Sequence, residues 1–246
     1  GEPEDGGITC DGSFLGNESQ TDSLTADVTF ETVQARHNDG FQCRGIECEI
    51  NTLETIIPDS RFEVPEVDTP QDWDLFDSPA GAWSVAWRED VPATFGGINR
   101  PDPARLEIHE GVVGTPYEGD QYAELDSDWD GPGGSVSGEP ASVSLFQDVP
   151  TTPGTEYQIS FAFAARPNTV AATNGVEVEW GGDVVYTSGP IGDPDAGIDW
   201  QIVDISVTAT SSLTRLRFTD TGTADSEGTF IDDIKLFSEQ CVFPDV

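Results

Sequence analysis

The chain has 246 residues, and 47 acidic side chains against 10 lysines and arginines give it a formal charge of −37. A charge of this sign and size repels nucleic acid and anionic membrane surfaces, which excludes both as partners. No apolar run approaches the roughly 20 residues that a membrane-spanning helix needs, so membrane insertion is not expected. The acidity is typical of a protein adapted to high salt, or of a secreted protein whose carboxylates bind Ca²⁺, and the composition leaves both interpretations open.

Residues 1–57 have the pattern of an N-terminal extension with one strand, predicted over about 24–33. Leu24, Ala26, Val28 and Phe30 alternate there on one face. So few large apolar side chains cannot build a core, so the extension must lean on the main domain, on disulfides or on another molecule. A strand of this kind suits addition to a neighbouring molecule's sheet, and head-to-tail repetition of that contact would build a filament or surface layer.

The four cysteines, Cys10, Cys43, Cys48 and Cys241, lie outside the central region and lack CxxC spacing. With two histidines in the chain, two disulfides in an oxidising compartment are favoured over a zinc site. Cys241 stands alone near the C-terminus, so at least one bridge would tie the extension to it, with the pairing left open. The first residue is Gly and the chain has no Met, which predicts a processed, secreted protein, and Asn17 begins a glycosylation sequon.

From residue 58 to residue 246 the pattern is one of many short strands. They are predicted at 60–65, 105–109, 121–126, 143–149, 157–163, 175–180, 184–187, 201–208, 213–218 and 230–237. Gly, Pro, Asp or Asn bound them, and no stretch shows helical periodicity with caps at both ends. The sequence therefore predicts an all-β fold, an antiparallel two-sheet β-sandwich of the jelly-roll type.

The last predicted strand carries an acidic residue where an apolar one is expected. Alternation places Phe230, Asp232, Ile234 and Leu236 on one face, which would be the core face. A carboxylate in a core is costly unless it is paired or bound to a metal, and cationic side chains are scarce here. Asp232 is therefore predicted to hold Ca²⁺; the alternatives are hydrogen bonds from Ser or backbone N–H groups, or Asp233 as the ligand.

A second acidic stretch follows a central strand. Glu124 and Asp126 share a strand face, Asp128 and Asp130 continue the pattern into a loop, and Asp225 precedes the last strand and could join them. Alternate carboxylates around a turn can form an oxygen cage for Ca²⁺. A solvated acidic face explains the same pattern.

A sugar site needs an exposed aromatic ring and planar polar groups beside it. Trp129 in the acidic loop, with Asp126, Arg166 and Asn174, would supply both. The alternative for Arg166 is an ion pair with Glu124.

Signatures of catalysis are weak. Of the two histidines, His109 is expected to face solvent, and the chain has no Gly-x-Ser-x-Gly elbow and no phosphate-binding loop. The chain is predicted not to be an enzyme, although its many carboxylates leave a carbohydrate-active enzyme as a minor alternative.

Several short motifs together resemble one known group of domains. The motifs are Phe62-Glu63, Trp73, the segment 119–127, Pro153-Gly154-Thr155-Glu156-Tyr157, Ala165-Arg166-Pro167, the segment 174–178 and the segment 230–234. As a set, over about residues 59–238, they resemble the galactose-binding-like jelly rolls, and within that group the DUF642-type modules of secreted, cell-wall and adhesin proteins, which are kin to carbohydrate-binding modules. The resemblance implies a two-sheet sandwich with structural calcium, held by a Glu on the first strand and an Asp on the last, here Glu63 and Asp232.

The resemblance also implies that the domain has no catalytic apparatus. We therefore predict a secreted cell-surface protein, a calcium-stabilised sandwich for glycan binding or adhesion, whose partner is a glycan or a neighbouring surface protein. The alternative is the subunit of an extracellular filament or surface layer, assembled through the predicted strand at 24–33.

Overall fold

The computed structural model describes residues 56–135, 137–192 and 197–238. These ranges hold thirteen strands and one single-turn 3₁₀ helix, Ala171–Thr173. The strands are β1 Trp73–Asp77, β2 Ser84–Trp87, β3 Thr94–Phe95, β4 Ile98–Asn99, β5 Arg105–His109, β6 Tyr122–Glu124, β7 Val143–Pro150, β8 Glu156–Ala164, β9 Val176–Trp180, β10 Asp183–Thr187, β11 Gln201–Thr208, β12 Leu213–Asp220 and β13 Phe230–Ser238. No helix within the described ranges has the length and apolar character that crossing a membrane requires.

The strands form two antiparallel sheets and a small hairpin. One sheet has six strands in the order β1-β5-β6-β13-β8-β11, the other has five in the order β10-β9-β12-β7-β2, and β3 pairs with β4. Consecutive strands often lie in different sheets, as when β12 pairs with β7 and β9 while β13 pairs with β8 and β6. The prediction of an all-β antiparallel two-sheet sandwich is confirmed.

Alternation along the strands builds the core between the two sheets. In β8, Ile159, Phe161 and Phe163 are buried, and in β12 Leu216 and Phe218 are buried. The rings of Phe161 and Phe218 meet edge to face with centroids 5.1 Å apart, which joins the two sheets. Burying a side chain of this size stabilises the fold by about 1.5–3 kcal/mol.

The predicted strand at 60–65 is wrong. The chain turns here, with Asp59 and Phe62 in the left-handed backbone region at φ of 51° and 58°. Phe62 is buried and stacks on Trp83 at 5.7 Å. The segment nevertheless runs beside the last strand, because the N–H of Ile234 donates to the carbonyl of Ser60 at 2.8 Å.

The predicted core face of the last strand is right for Ile234 and Leu236 and wrong for Phe230 and Asp232. The register of β13 against β8 shifts between Asp232 and Lys235, and Asp233 has a φ of 49°. This bulge reverses the alternation, so Ile231 and Ile234 both enter the core between the sheets. Asp232 therefore lies on the outer face of the six-stranded sheet, although it is fully buried there.

Some predictions fall outside the described residues. These are the strand at about 24–33, the sequon at Asn17 and the cysteines Cys10, Cys43, Cys48 and Cys241. The disulfides and the N-terminal extension therefore stay predictions.

Candidate functional site

A band of rings lies on the outer face of the six-stranded sheet. The His109 ring stacks between Trp73, at 6.3 Å, and Tyr122, at 5.2 Å. Tyr122 meets Trp200 at 5.7 Å, and Trp200 meets Tyr117 at 6.3 Å. His109 and Tyr122 are buried, Trp73 and Trp200 are half-buried, and Tyr117 is 42% exposed. We call these five residues the aromatic band.

Strand alternation explains why charged groups lie beneath this band. In β5, Ile108 enters the core, so its neighbours Glu107 and His109 point outward. In β6, Ala123 enters the core, so Glu124 points outward as well. The pairing of Glu107 with Glu124 across β5 and β6 then places the two carboxylates side by side.

These groups and Arg166 form a buried charged cluster. Nε2 of His109 lies 2.8 Å from Oε1 of Glu107 and 2.9 Å from Oε2 of Glu124. The Arg166 guanidinium also donates to Oε2 of Glu124, and the N–H of Gly228 donates to Oε1 of Glu124 at 2.6 Å. Two carboxylates, one imidazole and one guanidinium therefore balance each other inside the protein.

The charged cluster shifts the pKa values of its members. Burial alone would lower the pKa of His109, but the hydrogen bonds to Glu107 and Glu124 outweigh it and raise the pKa to about 9. Burial, with the neighbouring charge of Glu124, raises the pKa of Glu107 to about 7. The charge of Glu124 also raises the pKa of Arg166, which therefore stays a cation.

The cluster decides two sequence-based expectations. His109 was expected to face solvent, and this is wrong, because the residue is 1% exposed and lies between two rings. The ion pair that was the alternative role of Arg166 is present, with Glu124. Ligand atoms of Glu107, His109 and Glu124 lie within 4.8 Å of one another, yet the two cations already compensate these carboxylates, so the cluster does not require a metal.

Two acidic residues hold the loop that covers the sheet next to the band. Oδ2 of Asp232 accepts hydrogen bonds from the N–H groups of Tyr117, at 2.9 Å, and Glu118, at 3.0 Å. Oε1 of Glu63 accepts one from the N–H of Asp120 at 2.9 Å. The structure thus brings Glu63 and Asp232 to the same loop.

Burial raises the pKa of Asp232 to about 7, and no ion pair involves Asp232 within the described residues. Its other oxygen accepts a hydrogen bond from the N–H of Asp233 at 2.7 Å. Asp233 itself pairs with Lys235 at 2.5 Å. A buried carboxylate without a cationic partner fits a calcium ligand, and its N–H bonds also fit the alternative without metal, so calcium at Asp232 stays a prediction.

Asp126 and Asp225 meet, as the sequence suggested. Oδ2 of Asp126 accepts a hydrogen bond from the N–H of Asp225 at 2.7 Å, and Oδ1 accepts one from Ala141 at 3.2 Å. Burial is the main cause that raises the pKa of Asp126 to about 9. The Asp126 carboxyl group therefore joins the segment that follows β6 to the loop between β12 and β13 through hydrogen bonds. A metal bound by Glu124, Asp126 and Asp225 stays a prediction.

The aromatic ring chosen from sequence for the sugar site is not exposed. Trp129 is 2% exposed, its Nε1 donates to the carbonyl of Pro140 at 3.0 Å, and its ring meets Phe95 at 6.3 Å. Asn174 is 1% exposed, and its Oδ1 accepts from the N–H of Arg166 at 2.9 Å. The expected exposure of the Trp129 ring is therefore wrong, and Trp129 and Asn174 support the fold, while a sugar contact of these residues stays a prediction without an accessible ring to support it.

The acidic loop contains a cluster of three carboxylates, and the sequence analysis identified two of them but not the third. Ligand atoms of Asp128, Asp130 and Glu139 lie within 4.8 Å of one another. Glu139 is fully buried, and nothing in its local sequence pattern marks it as a member. A cavity of about 450 Å³ adjoins the group, lined by Asp128, Ser137, Gly138, Asp225, Ser226 and Glu227.

A cleft of about 330 Å³ is lined by residues next to Trp200 in the chain, although the Trp200 side chain itself is not part of its lining. Its lining includes Asp199 and Gln201, the two neighbours of Trp200, and Ala165 and Pro167, the two neighbours of Arg166. The remaining lining residues are Pro190, Ile191, Gly192 and Gly197. The cleft therefore combines apolar walls with a carboxylate and an amide.

Comparison with protein families finds no match. The chain is 34% identical over 99 residues to the multifunctional-autoprocessing repeats-in-toxin protein of Vibrio cholerae, and 35% identical over 99 residues to that of Vibrio vulnificus. In each case the match covers 40% of this chain and spans only 2% of the length of the curated relative.

Among solved structures, a family 61 carbohydrate-binding module in complex with β-1,4-galactotriose has 15% identity and a TM-score of 0.41, covering 76% of this chain and 100% of the module. Other carbohydrate-binding modules are also among the solved structures to which this chain is similar. A family 35 module from Clostridium thermocellum has 17% identity and a TM-score of 0.35, covering 53% of this chain and 90% of that one. An arabinose-bound α-L-arabinofuranosidase has 11% identity and a TM-score of 0.42, covering 75% of this chain and 26% of the enzyme.

Proposed function

We propose that this chain is a non-catalytic, extracellular glycan-binding module whose sugar site is the cleft beside Trp200. Two observations support the proposal: Trp200 is a half-buried tryptophan held against Tyr117 and Tyr122, and its two chain neighbours, Asp199 and Gln201, line a cleft with mixed polar and apolar walls. Nε1 of Trp200 donates to the carbonyl of Thr115 at 3.0 Å, and its ring contacts Tyr117 and Tyr122. A ring held in this way stacks on a sugar at low entropic cost.

The walls of the cleft suit a sugar ring. Asp199 and Gln201 offer acceptors and a donor for hydroxyl groups, while Pro167 and Ile191 offer apolar surface for the faces of the ring. A volume of about 330 Å³ lies at the lower end of the usual range for small-molecule sites, which is about 300–1,000 Å³. The site therefore fits one or two sugar units.

The charged cluster supports a non-catalytic role. Glu107 and Glu124 are the paired carboxylates nearest to the aromatic band, and both are buried. His109 and Arg166 compensate them. A glycosidase needs two carboxyl groups that reach the scissile bond, and these two do not reach the cleft.

Calcium belongs to the proposal as a structural ion. Glu63 and Asp232 would hold the ion beside the loop that carries Tyr117. Ca²⁺ binds carboxylate and carbonyl oxygens and tolerates variation in their arrangement. The ion would stabilise that loop and, through Tyr117, the position of Trp200. The fit rests on the burial of Asp232 without an ion pair in the described residues.

The test is glycan binding by the full chain in buffered high salt with Ca²⁺, using soluble galactan, arabinan, β-glucan and polyuronate as probes. Trp200→Ala is expected to weaken binding to the preferred glycan about tenfold, as the loss of one stacking ring implies. Phe146→Ala is the matched control, because Phe146 is a half-buried ring on the other sheet, packed against Arg215 at 4.4 Å. The proposal fails if Trp200→Ala binds as tightly as the unchanged protein.

The open edge of the six-stranded sheet favours the second candidate, strand addition. Among the described residues, β11 pairs only with β8, and its Ile202 is 47% exposed. An added strand from another copy would cover this edge and assemble a filament or surface layer. Light scattering of the full chain tests it: a monomer at all concentrations argues against assembly.

A further inference from the structure

We propose that Asp128, Asp130 and Glu139 form a second calcium site, separate from the one at Glu63 and Asp232. The three carboxylates present ligand atoms within 4.8 Å of one another. They come from the two ends of the loop between β6 and β7, which therefore closes on itself at this point. The proposal does not depend on glycan binding.

Backbone N–H groups fix each carboxylate through one oxygen. Oδ1 of Asp128 accepts from Asp130 at 2.9 Å and from Gly131 at 3.1 Å. Oε1 of Glu139 accepts from the N–H of Trp129 at 3.1 Å. Oδ2 of Asp130 accepts from the N–H of Ser135 at 2.6 Å. The carboxylates are thus held in place before any ion binds.

The second oxygen of Glu139 requires a partner. Glu139 is fully buried, and its Oε2 has no hydrogen-bond partner. Leaving an ionised carboxylate oxygen unpaired in a protein interior is costly. Within the ranges that the structure describes, no ion pair to Lys, Arg or His involves Asp128, Asp130 or Glu139. A bound cation supplies the missing positive charge.

The chemistry of the group favours Ca²⁺. All three side chains offer oxygen, and neither imidazole nor thiolate is part of the group, so a hard cation is preferred. Ca²⁺ tolerates an irregular arrangement of oxygen ligands such as this one, whereas Mg²⁺ demands near-ideal octahedral geometry and gives up water reluctantly. The adjoining cavity of about 450 Å³ leaves room for the water ligands that complete the coordination.

The site would join two loops of the sandwich. The cavity is lined on one side by Asp128 and Gly138 and on the other by Asp225 and Glu227. Oγ of Ser226 already donates to the carbonyl of Glu139 at 2.9 Å. A cation here would hold the loop between β6 and β7 against the loop that leads into β13.

Trp129 makes the site measurable, because its backbone N–H contacts Glu139 and its ring lies in the same loop. The full chain is stripped of metal, and then Tb³⁺ luminescence excited through tryptophan and calorimetric Ca²⁺ titration are recorded. We expect sensitised Tb³⁺ emission that Ca²⁺ displaces, and one Ca²⁺ fewer per chain in Glu139→Gln, which keeps an acceptor for Trp129. Asp130→Asn, at an exposed position, is expected to weaken Ca²⁺ binding at least tenfold without a change of fold.

Two controls separate this site from the other proposals. Glu156→Gln changes an exposed carboxylate at the start of β8 and should leave Ca²⁺ stoichiometry and Tb³⁺ emission unchanged. Asp232→Asn tests the other calcium site and should leave Tb³⁺ emission near Trp129 intact. The inference is overturned if the unchanged protein shows no sensitised Tb³⁺ emission, or if Glu139→Gln and Asp130→Asn both keep the full stoichiometry and affinity.

Discussion

Oδ2 of Asp232 accepts a hydrogen bond from the N–H of Tyr117 at 2.9 Å, across 115 residues of sequence. Tyr117 contacts the ring of Trp200 at 6.3 Å, so the last strand fixes the loop that positions the proposed sugar-binding ring. The bulge in β13 makes this possible, since it turns Asp232 to the outer face while Ile231 and Ile234 stay in the core. In the proposed function, the buried carboxylate of Asp232 therefore links the stability of the domain to glycan binding at Trp200.

Removal of calcium tests the role of Asp232 in stability. If Ca²⁺ binds there, chelation is expected to lower the melting temperature by several degrees, because an ion that binds only the folded state stabilises it by mass action. Asp232→Ala should lower the melting temperature by a similar amount and, in the Glu139→Gln background that removes the second proposed calcium site, should make it insensitive to chelator. Asp204→Asn, an exposed carboxylate on β11, is the control.

The two roles of Asp232 predict different results. If the carboxylate acts only through its hydrogen bonds, Asp232→Ala destabilises the protein, while chelator has no effect on the Glu139→Gln protein, whose second proposed calcium site is removed. Calorimetry with and without chelator on Glu139→Gln and on the double variant Asp232→Ala with Glu139→Gln distinguishes the two roles. A chelator effect that is present in the first protein and absent in the second indicates calcium at Asp232.

The charged cluster predicts a stability that falls as the pH rises. The pKa of His109 is raised from 6.5 to about 9 in the folded protein, so the folded state binds its proton more tightly than the unfolded state. This contribution is fully present below about pH 6.5 and is lost as the pH rises through about 9. A shift of this size corresponds to about 3 kcal/mol. Urea unfolding from pH 6 to pH 9.5 measures it.

His109→Gln removes the titrating group and keeps a hydrogen-bond donor for the two carboxylates. Its free energy of unfolding should fall much less between pH 6.5 and pH 9 than that of the unchanged protein. Equal slopes for the two proteins would show that His109 does not carry the effect.

Arg166 tests the charge balance of the same cluster. Arg166→Gln leaves Glu124 buried without its guanidinium partner, and breaking such a pair costs about 3–5 kcal/mol in a protein interior. The double variant Arg166→Gln with Glu124→Gln removes both charges and should regain much of the loss. Thermal unfolding of the two variants provides the comparison, and equal destabilisation of both would contradict an ion-pair role.

Strand alternation predicted most of the fold, because β12 buries every second residue and β11 alternates exposed with less exposed residues over long, regular stretches. The face of Asp232 was predicted wrongly, because a bulge adds a residue that no periodic pattern reveals.

The candidate site was less predictable than the strands. Trp129 lies in an acidic loop and was expected to be exposed, yet the loop closes over it. Trp200 and Glu139 were missed, because their neighbours are brought together only by the fold. The one local feature that could have indicated Trp200 is its position directly before a predicted strand, between the polar residues Asp199 and Gln201.

Binding of a soluble glycan by the full chain and by Trp200→Ala, measured side by side in high salt with Ca²⁺, tests the central claim most directly. The account predicts saturable binding of at least one glycan in the panel, about tenfold weaker in Trp200→Ala and unchanged in Phe146→Ala. Absence of binding to every glycan by the folded, calcium-loaded protein, or equal affinity with and without the Trp200 ring, would contradict it.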